Sequence, residues 1–226
     1  MAVIVVGLGL LAGICCCNSM AAAKPTTNQK TGAPLIKPGS GLFNSHEFRS
    51  TLKALPRWTR VMASAEQQIK KFYACKKDCS SAALSWQKII RQSEKLPQMK
   101  QLRTVNSFFN HWPYRLDIDV YGVTDYWATP SEFLKLSGDC EDYSIAKYYA
   151  LRKLGFSAED LRIVLLKDNI RNISHAVLAV KLNGDNYILD NMSDLLLSHL
   201  KYEHYVPQYS VNEHYRWAHV SPKTMR

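Results

Sequence analysis

Asn183-Gly184 lies between two runs rich in Val, Ile, Leu and Tyr, Ser174 to Leu182 and Asn186 to Asp190, and it constrains the fold more than any other dipeptide here. Asn and Gly accept the left-handed backbone that a two-residue hairpin turn demands, so the runs are read as tightly joined antiparallel strands. A third such run, Leu161 to Leu166, precedes them. Before it, a helical pattern extends from Cys140 to about Leu154, with Asp139 at the N-cap, Asp142 three residues on, Arg152 and Lys153 in the last turn, and Gly155 as the stop. A helix followed by antiparallel sheet is an α+β arrangement.

The hairpin register decides which side chains can meet. With a two-residue turn, Leu182 pairs with Asp185 and His175 falls opposite Met192. Asp190 has the parity of Met192, so it shares a face with His175, one diagonal step away. A longer turn would set His175 against Asp194 instead. Cys140 opens the helix, where the positive end of the peptide dipoles favours a thiolate and a nearby imidazole could hold it. Packed against that face of the hairpin, Cys140, His175 and Asp190 would make a nucleophile, a base and an orienting carboxylate. The Cys140 backbone N–H, unpaired at a helix start, can point at a developing oxyanion. A second donor is needed, and Trp112, Asn191 and an amide of the aromatic loop are the candidates.

Upstream, apolar residues recur at helical spacing between Glu47 and Asn110 (Leu52, Leu55, Val61, Ile69, then Leu84, Ile89, Leu102, Val105, Phe109), with Pro56 and Pro97 as breaks or starts. This is a helical N-terminal lobe. From His111 to Pro130 the chain is aromatic and acidic and reads as a heavily packed loop. The 226 residues, 46% hydrophobic, suffice for one sizeable core, so residues 46–226 are read as a single domain. Residues 24–45, rich in Pro, Thr, Gly, Ser and Asn, read as a flexible tether.

Residues 1–23 carry no charge, hold an apolar run from Val3 to Cys17, and end in Ala21-Ala22-Ala23, which fits a signal-peptide cleavage site and a periplasmic address. An uncleaved anchor is the alternative. Ile14 before Cys15 argues against lipidation, which wants a small residue there. Removal of that segment takes Cys15, Cys16 and Cys17 with it. Cys75 and Cys79 are close enough to pair across a helix end, leaving Cys140 as an odd thiol, reactive or buried and inert. The net charge of +10 would suit nucleic acid, yet Lys and Arg are scattered, Lys70-Lys71 and Lys76-Lys77 look like a solvated helix face, and no nucleic-acid motif accompanies them.

Four blocks carry a resemblance: Asp125-Tyr126-Trp127-Ala128-Thr129-Pro130, Gly138-Asp139-Cys140-Glu141-Asp142-Tyr143, His175-Ala176-Val177-Leu178-Ala179-Val180 and Leu189-Asp190-Asn191. With Cys140, His175 and Asp190 in that order, they resemble the bacterial transglutaminase-like cysteine proteases, and within them the LapG-type, adhesin-releasing group. The resemblance implies a papain-like core, a helical N-terminal lobe followed by a nucleophile helix packed on an antiparallel sheet. It implies a periplasmic endopeptidase that cuts a large surface adhesin near its N-terminus. It also implies an inner-membrane cyclic di-GMP receptor as sequestering partner. The uncharged start and the three consecutive cysteines depart from the family's export signal.

The family also uses calcium. Asp139 and Glu141 are carried over for it, with Asp142 and Asp117 as further candidates and Asp119 as an alternative from the same loop; clustered carboxylates suit an ion that takes six to eight oxygens. Helix capping explains Asp139 and Asp142 equally well. Three rivals remain: acyl transfer to an amine by the same three residues, a non-catalytic calcium-binding module, and a zinc site from His199, His204, His214 and His219. The five-residue spacing of those histidine pairs suits a single helical face poorly.

Overall fold

The computed structural model describes residues 40–222, so the signal segment and most of the tether lie outside the described residues. The folded region begins before residue 46, however. Leu42 is buried with Val164, Leu166, Val177, Ala179, Ile188 and Tyr205, and Ser45 Oγ lies 2.7 Å from His219 Nδ1. The one large aliphatic side chain near the end of the polar stretch has found an apolar sheet face, so residues 41–45 are packed where the sequence predicts a tether.

Three helices follow the short strand β1 (His46–Ser50). Helix α1 (Pro56–Ala74) starts on a proline, as first turns favour, and buries Trp58, Val61, Ala65, Ile69 and Phe72 along one stripe. Helix α2 (Ser81–Ser93) is capped by Ser80 Oγ, which accepts the Ala83 N–H at 3.2 Å. A Cys75–Cys79 disulfide closes the turn between α1 and α2. Helix α3 (Gln98–Asn110) starts directly after Pro97 and buries Leu102, Val105 and Phe109. Lys70, Lys71, Lys76 and Lys77 are all exposed.

The aromatic stretch is not wholly a loop. It holds a five-residue helix, α4 (Asp117–Tyr121), ended by Gly122 at φ +70°. Its apolar residues carry no helical stripe, and the turn instead buries the Asp117 carboxylate. Helix α5 (Pro130–Leu136) has a reciprocal cap: Thr129 N–H donates to Glu132 Oε2 at 2.7 Å and Glu132 N–H to Thr129 Oγ1 at 3.3 Å. Helix α6 (Cys140–Lys153) has the predicted limits and ends before Gly155 at φ +96°. It is buried on nearly every side, between the other helices and the sheet.

The remaining strands are β2 (Leu161–Asp168), β3 (Ile173–Leu182), β4 (Asp185–Asp190), β5 (Ser193–Ser198), β6 (Tyr205–Val211) and β7 (Arg216–Val220). They join β1 in one antiparallel sheet of order β1-β7-β6-β2-β3-β4-β5. The β3–β4 turn is the two-residue type, with Asn183 at φ +52° and Gly184 at φ +83°, and Leu182 faces Asp185. Pro207 enters β6 at a register shift against β2, between Leu165 and Leu166, where a missing N–H interrupts the ladder least.

Candidate active site

The N-terminus of α6 presents Cys140, the free cysteine among the described residues, nearly buried at 8% exposure. Gly138 makes this corner possible. A Cβ there would stand 2.0 Å from Asp142 Oδ2, so only glycine lets the chain pass so close to that carboxylate. Asp142 accepts the Ala128 N–H at 2.6 Å and the Asp139 N–H at 3.2 Å, tying the tip of α6 to the strand-like approach to α5.

Strand β3 passes directly by the sulfur, and the Ala176 N–H reaches it. His175, the preceding residue, is buried, and its Nε2 lies 2.9 Å from Asp190 Oδ1. The β3–β4 register that brings them together is the one a two-residue turn requires. Asp190 is also held by the Met192 N–H at 2.9 Å and the Tyr205 hydroxyl at 2.7 Å. Burial by itself would raise the Asp190 carboxyl; the His175 contact, followed by the Tyr205 and Met192 bonds, brings it down to about 2. It is therefore a carboxylate at neutral pH, and with Nε2–H donated to it, His175 keeps Nδ1 free as a base.

The thiol departs from the expectation of a lowered pKa. Burial, then the Glu141 and Asp139 carboxylates, raise it well above its ordinary value, and only the Ala176 N–H is seen to work the other way. Cys140 Sγ donates to Glu141 Oε2 at 3.0 Å. Burial and the two carboxylates outweigh the one stabilising N–H.

Those neighbours belong to a larger acidic cluster. One ligand oxygen each from Asp117, Asp139 and Asp142 lie within 4.8 Å of one another, and Glu141 joins Asp139 and Cys140 in a second such group. Asp117 comes from α4 with Oδ2 accepting the Tyr126 N–H at 2.5 Å, while Asp119 stays exposed. Asp117 Oδ1 and Asp139 Oδ1 are buried with no hydrogen-bond partner. Burial foremost, then mutual repulsion, raises Asp139 to about 10, and burial likewise raises Asp142 and Asp117. Orphaned, buried carboxylate oxygens of this kind fit an oxygen-loving divalent cation such as calcium.

The model of the bacterial transglutaminase-like cysteine proteinases matches residues 62–225. The chain belongs to that family. Solved structures of LapG from Legionella pneumophila share the fold: one is 30% identical over 72% of this chain and 91% of that one, at a TM-score of 0.59. Its calcium-bound form is 32% identical over 67% of this chain and 86% of that one, at 0.57, and an EGTA-treated form is 30% identical at 0.58. No curated protein matches the chain.

In this LapG-type protease, Asp117, Asp139, Cys140, Glu141 and Asp142 gather at the tip of α6, and His175 pairs with Asp190 on the hairpin whose Ala176 reaches Cys140. Others at the site escape sequence reading. Tyr205 arrives from β6, which pairs with β2 and not with the hairpin. Lys147, fully buried on α6, donates to Asn110 Oδ1 at 2.7 Å, and Asn110 Nδ2 donates to the Asp190 carbonyl at 2.9 Å. The four histidines weighed for zinc have separate company. His199 Nδ1 accepts the Phe43 N–H, His219 lies between Ser45 and Ser210, His214 faces Glu159, and His204 packs on Tyr202 and Tyr205.

Proposed function

We propose that this protein is a calcium-dependent endopeptidase, exported to the periplasm by its N-terminal signal peptide, that cuts a large surface adhesin near its N-terminus and so releases cells from a biofilm. In this reading an inner-membrane receptor sensing cyclic di-GMP sequesters the protease while attachment is favoured. The contact that carries the catalytic part is His175 Nε2 to Asp190 Oδ1, 2.9 Å, beside the thiol at the α6 tip.

Cys140 is the nucleophile, His175 the base and Asp190 the orienter. His175 Nδ1 takes the thiol proton as Sγ bonds to the scissile carbonyl carbon. It returns that proton to the leaving amine, and water then hydrolyses the thioester. Asp190 keeps the ring in one tautomer and favours the imidazolium. Asp117, Asp139, Glu141 and Asp142 would hold calcium, which when bound supplies positive charge among these carboxylates. Asp117 anchors the Tyr126 N–H and Asp142 the Ala128 and Asp139 N–H groups, so their order sets where the tip of α6 and its thiol stand. The calcium-bound form of the Legionella protein supports calcium as the ion.

The test is cleavage of an adhesin N-terminal fragment by wild type and Cys140→Ala, in calcium and in EGTA. Cutting is expected only from the wild type in calcium. A fragment left whole by wild type, or cut by Cys140→Ala, overturns the proposal. A labelled amine in the same reaction separates hydrolysis from transfer, since incorporation without cleavage would make the protein a transferase.

A further inference from the structure

Tyr114 is laid across the first turn of α6. Tyr114 forms a single parallel bridge with Gly138, and the next residue's N–H, from Arg115, donates to the Gly138 carbonyl at 2.9 Å. Its ring stacks on that of Tyr143, with centroids 6.3 Å apart and planes 15° from parallel. Tyr143 stands three residues after Cys140, on the same helix face, and its own hydroxyl is tied to the Trp112 carbonyl. Bridge and stack, two residues before Cys140 and three after it, together bring the Tyr114 phenol close to the thiol. Tyr114 is nevertheless 51% exposed, so it lies on the side from which a substrate would approach.

Two of the other candidates for a second oxyanion donor have contacts of their own. The Trp112 ring packs among Phe108, Phe109 and Phe133. The Asn191 amide turns to the Met192 sulfur.

We propose that the Tyr114 hydroxyl donates to the oxyanion formed at Cys140, acting with the Cys140 backbone N–H. The inference rests on Cys140 being an acylated nucleophile, as the protease reading requires. When Sγ bonds to a carbonyl carbon, the C=O π pair moves onto oxygen. That oxygen sits one bond from a carbon itself bonded to sulfur, on the side of Cys140 where the bridge to Gly138 and the stack on Tyr143 place the phenol. The phenol stays protonated throughout, because burial and then the nearby thiol and carboxylates raise its pKa. It is a donor and not a proton source, and when the π pair returns the leaving group departs with the C–X electrons.

Two reagents of unlike chemistry test this in calcium-containing buffer, on wild type and Tyr114→Phe, with Cys140→Ala as background. Iodoacetamide alkylates the sulfur without forming an oxyanion. p-Nitrophenyl acetate acylates it through one, releasing p-nitrophenolate when that oxyanion collapses to the thioester. The phenylalanine ring keeps the stack on Tyr143, and a thermal melt checks that the variant is folded. The expected result is a fall of about a hundredfold in the ratio of acylation to alkylation rate, the low side of what losing one oxyanion donor costs. An unchanged ratio overturns the proposal, whether both rates hold or both fall together; in the second case Tyr114 acts on the sulfur alone. A wild-type Cys140 inert to both reagents is a different failure, one that removes the protease reading and this inference with it.

Discussion

The Tyr205 hydroxyl donates to Asp190 Oδ2 at 2.7 Å, while His175 Nε2 takes Oδ1 at 2.9 Å, so both oxygens of one buried carboxylate are held from different strands. Its pKa of about 2 lies below the unfolded value, so its contribution to stability is complete above roughly pH 4 and lost as pH falls through the folded value. Tyr205→Phe removes one hydrogen bond to a charged group and should destabilise the fold by about 1.5–3 kcal/mol at pH 7. The loss should shrink between pH 4 and pH 2, as Asp190 protonates. Urea unfolding of both proteins across that range checks this; a deficit that ignores pH would mean that the hydroxyl does not bear on the carboxylate.

Gly138→Ala should be among the most damaging small substitutions in this protein. The added methyl would stand 2.0 Å from Asp142 Oδ2 and 2.7 Å from its Cβ and Cγ. Asp142 has little room to yield, because two backbone N–H groups hold it. Either the tip of α6 or the carboxylate must shift, and the loss should be about 2 kcal/mol or more, of the order that core overpacking costs. Thermal melts and calcium titration report it, and an unchanged melting temperature with unchanged calcium response would show that the corner relaxes freely.

Local signals made α6 and the hairpin legible. Asp139 and Gly155 bracket the helix, and Asn183-Gly184 sets the register that carries His175 to Asp190. Contacts made by chain closure leave no such trace. Strand β1 pairs with β7, about 170 residues away along the sequence, and β6 carries Pro207, which reads against a central strand. Tyr205 therefore looks like packed surface until β6 docks on β2. Helix α4 is invisible for another reason: it has no apolar stripe to announce it, so Asp117 reads only as one acidic residue of a loop. Lys147 reads as a solvated charge because nothing in the sequence of α6 tells that nearly every side of it is covered.

Asp117→Asn should reverse its effect with calcium. Asp117 Oδ2 accepts the Tyr126 N–H, and asparagine can keep that bond while placing its NH2 where Oδ1 now faces Asp139 and Asp142 without a partner. In EGTA the substitution removes a buried like charge and adds a donor, so the variant should melt at or above wild type. In saturating calcium the wild type gains about 2.7 kcal/mol at a hundred times Kd, and the variant should gain much less. Melting curves at several calcium concentrations read both arms. Parallel curves would take Asp117 out of the calcium site.

Lys147 should make stability rise with pH above neutrality. Its ammonium is fully buried, donates to Asn110 Oδ1 at 2.7 Å, and lies near Asp190, Asp194 and the Tyr143 ring. Burial, opposed by the two aspartates, lowers its pKa to about 7, well below the ordinary value. Between about pH 7 and 10 the unfolded chain binds a proton that the folded protein does not, so folding gains with rising pH by at most about 1.4 kcal/mol per unit. At and below pH 7 the full cost of the buried charge is present. Lys147→Met has no such group, so relative to wild type it should be most favourable near pH 7 and lose ground by pH 9. Losing the Asn110 partner lowers the variant by a constant amount and leaves that slope intact. Urea unfolding at pH 7, 8 and 9 gives the slope directly, and a difference constant across the three would mean that Lys147 stays charged in the folded protein over this whole range.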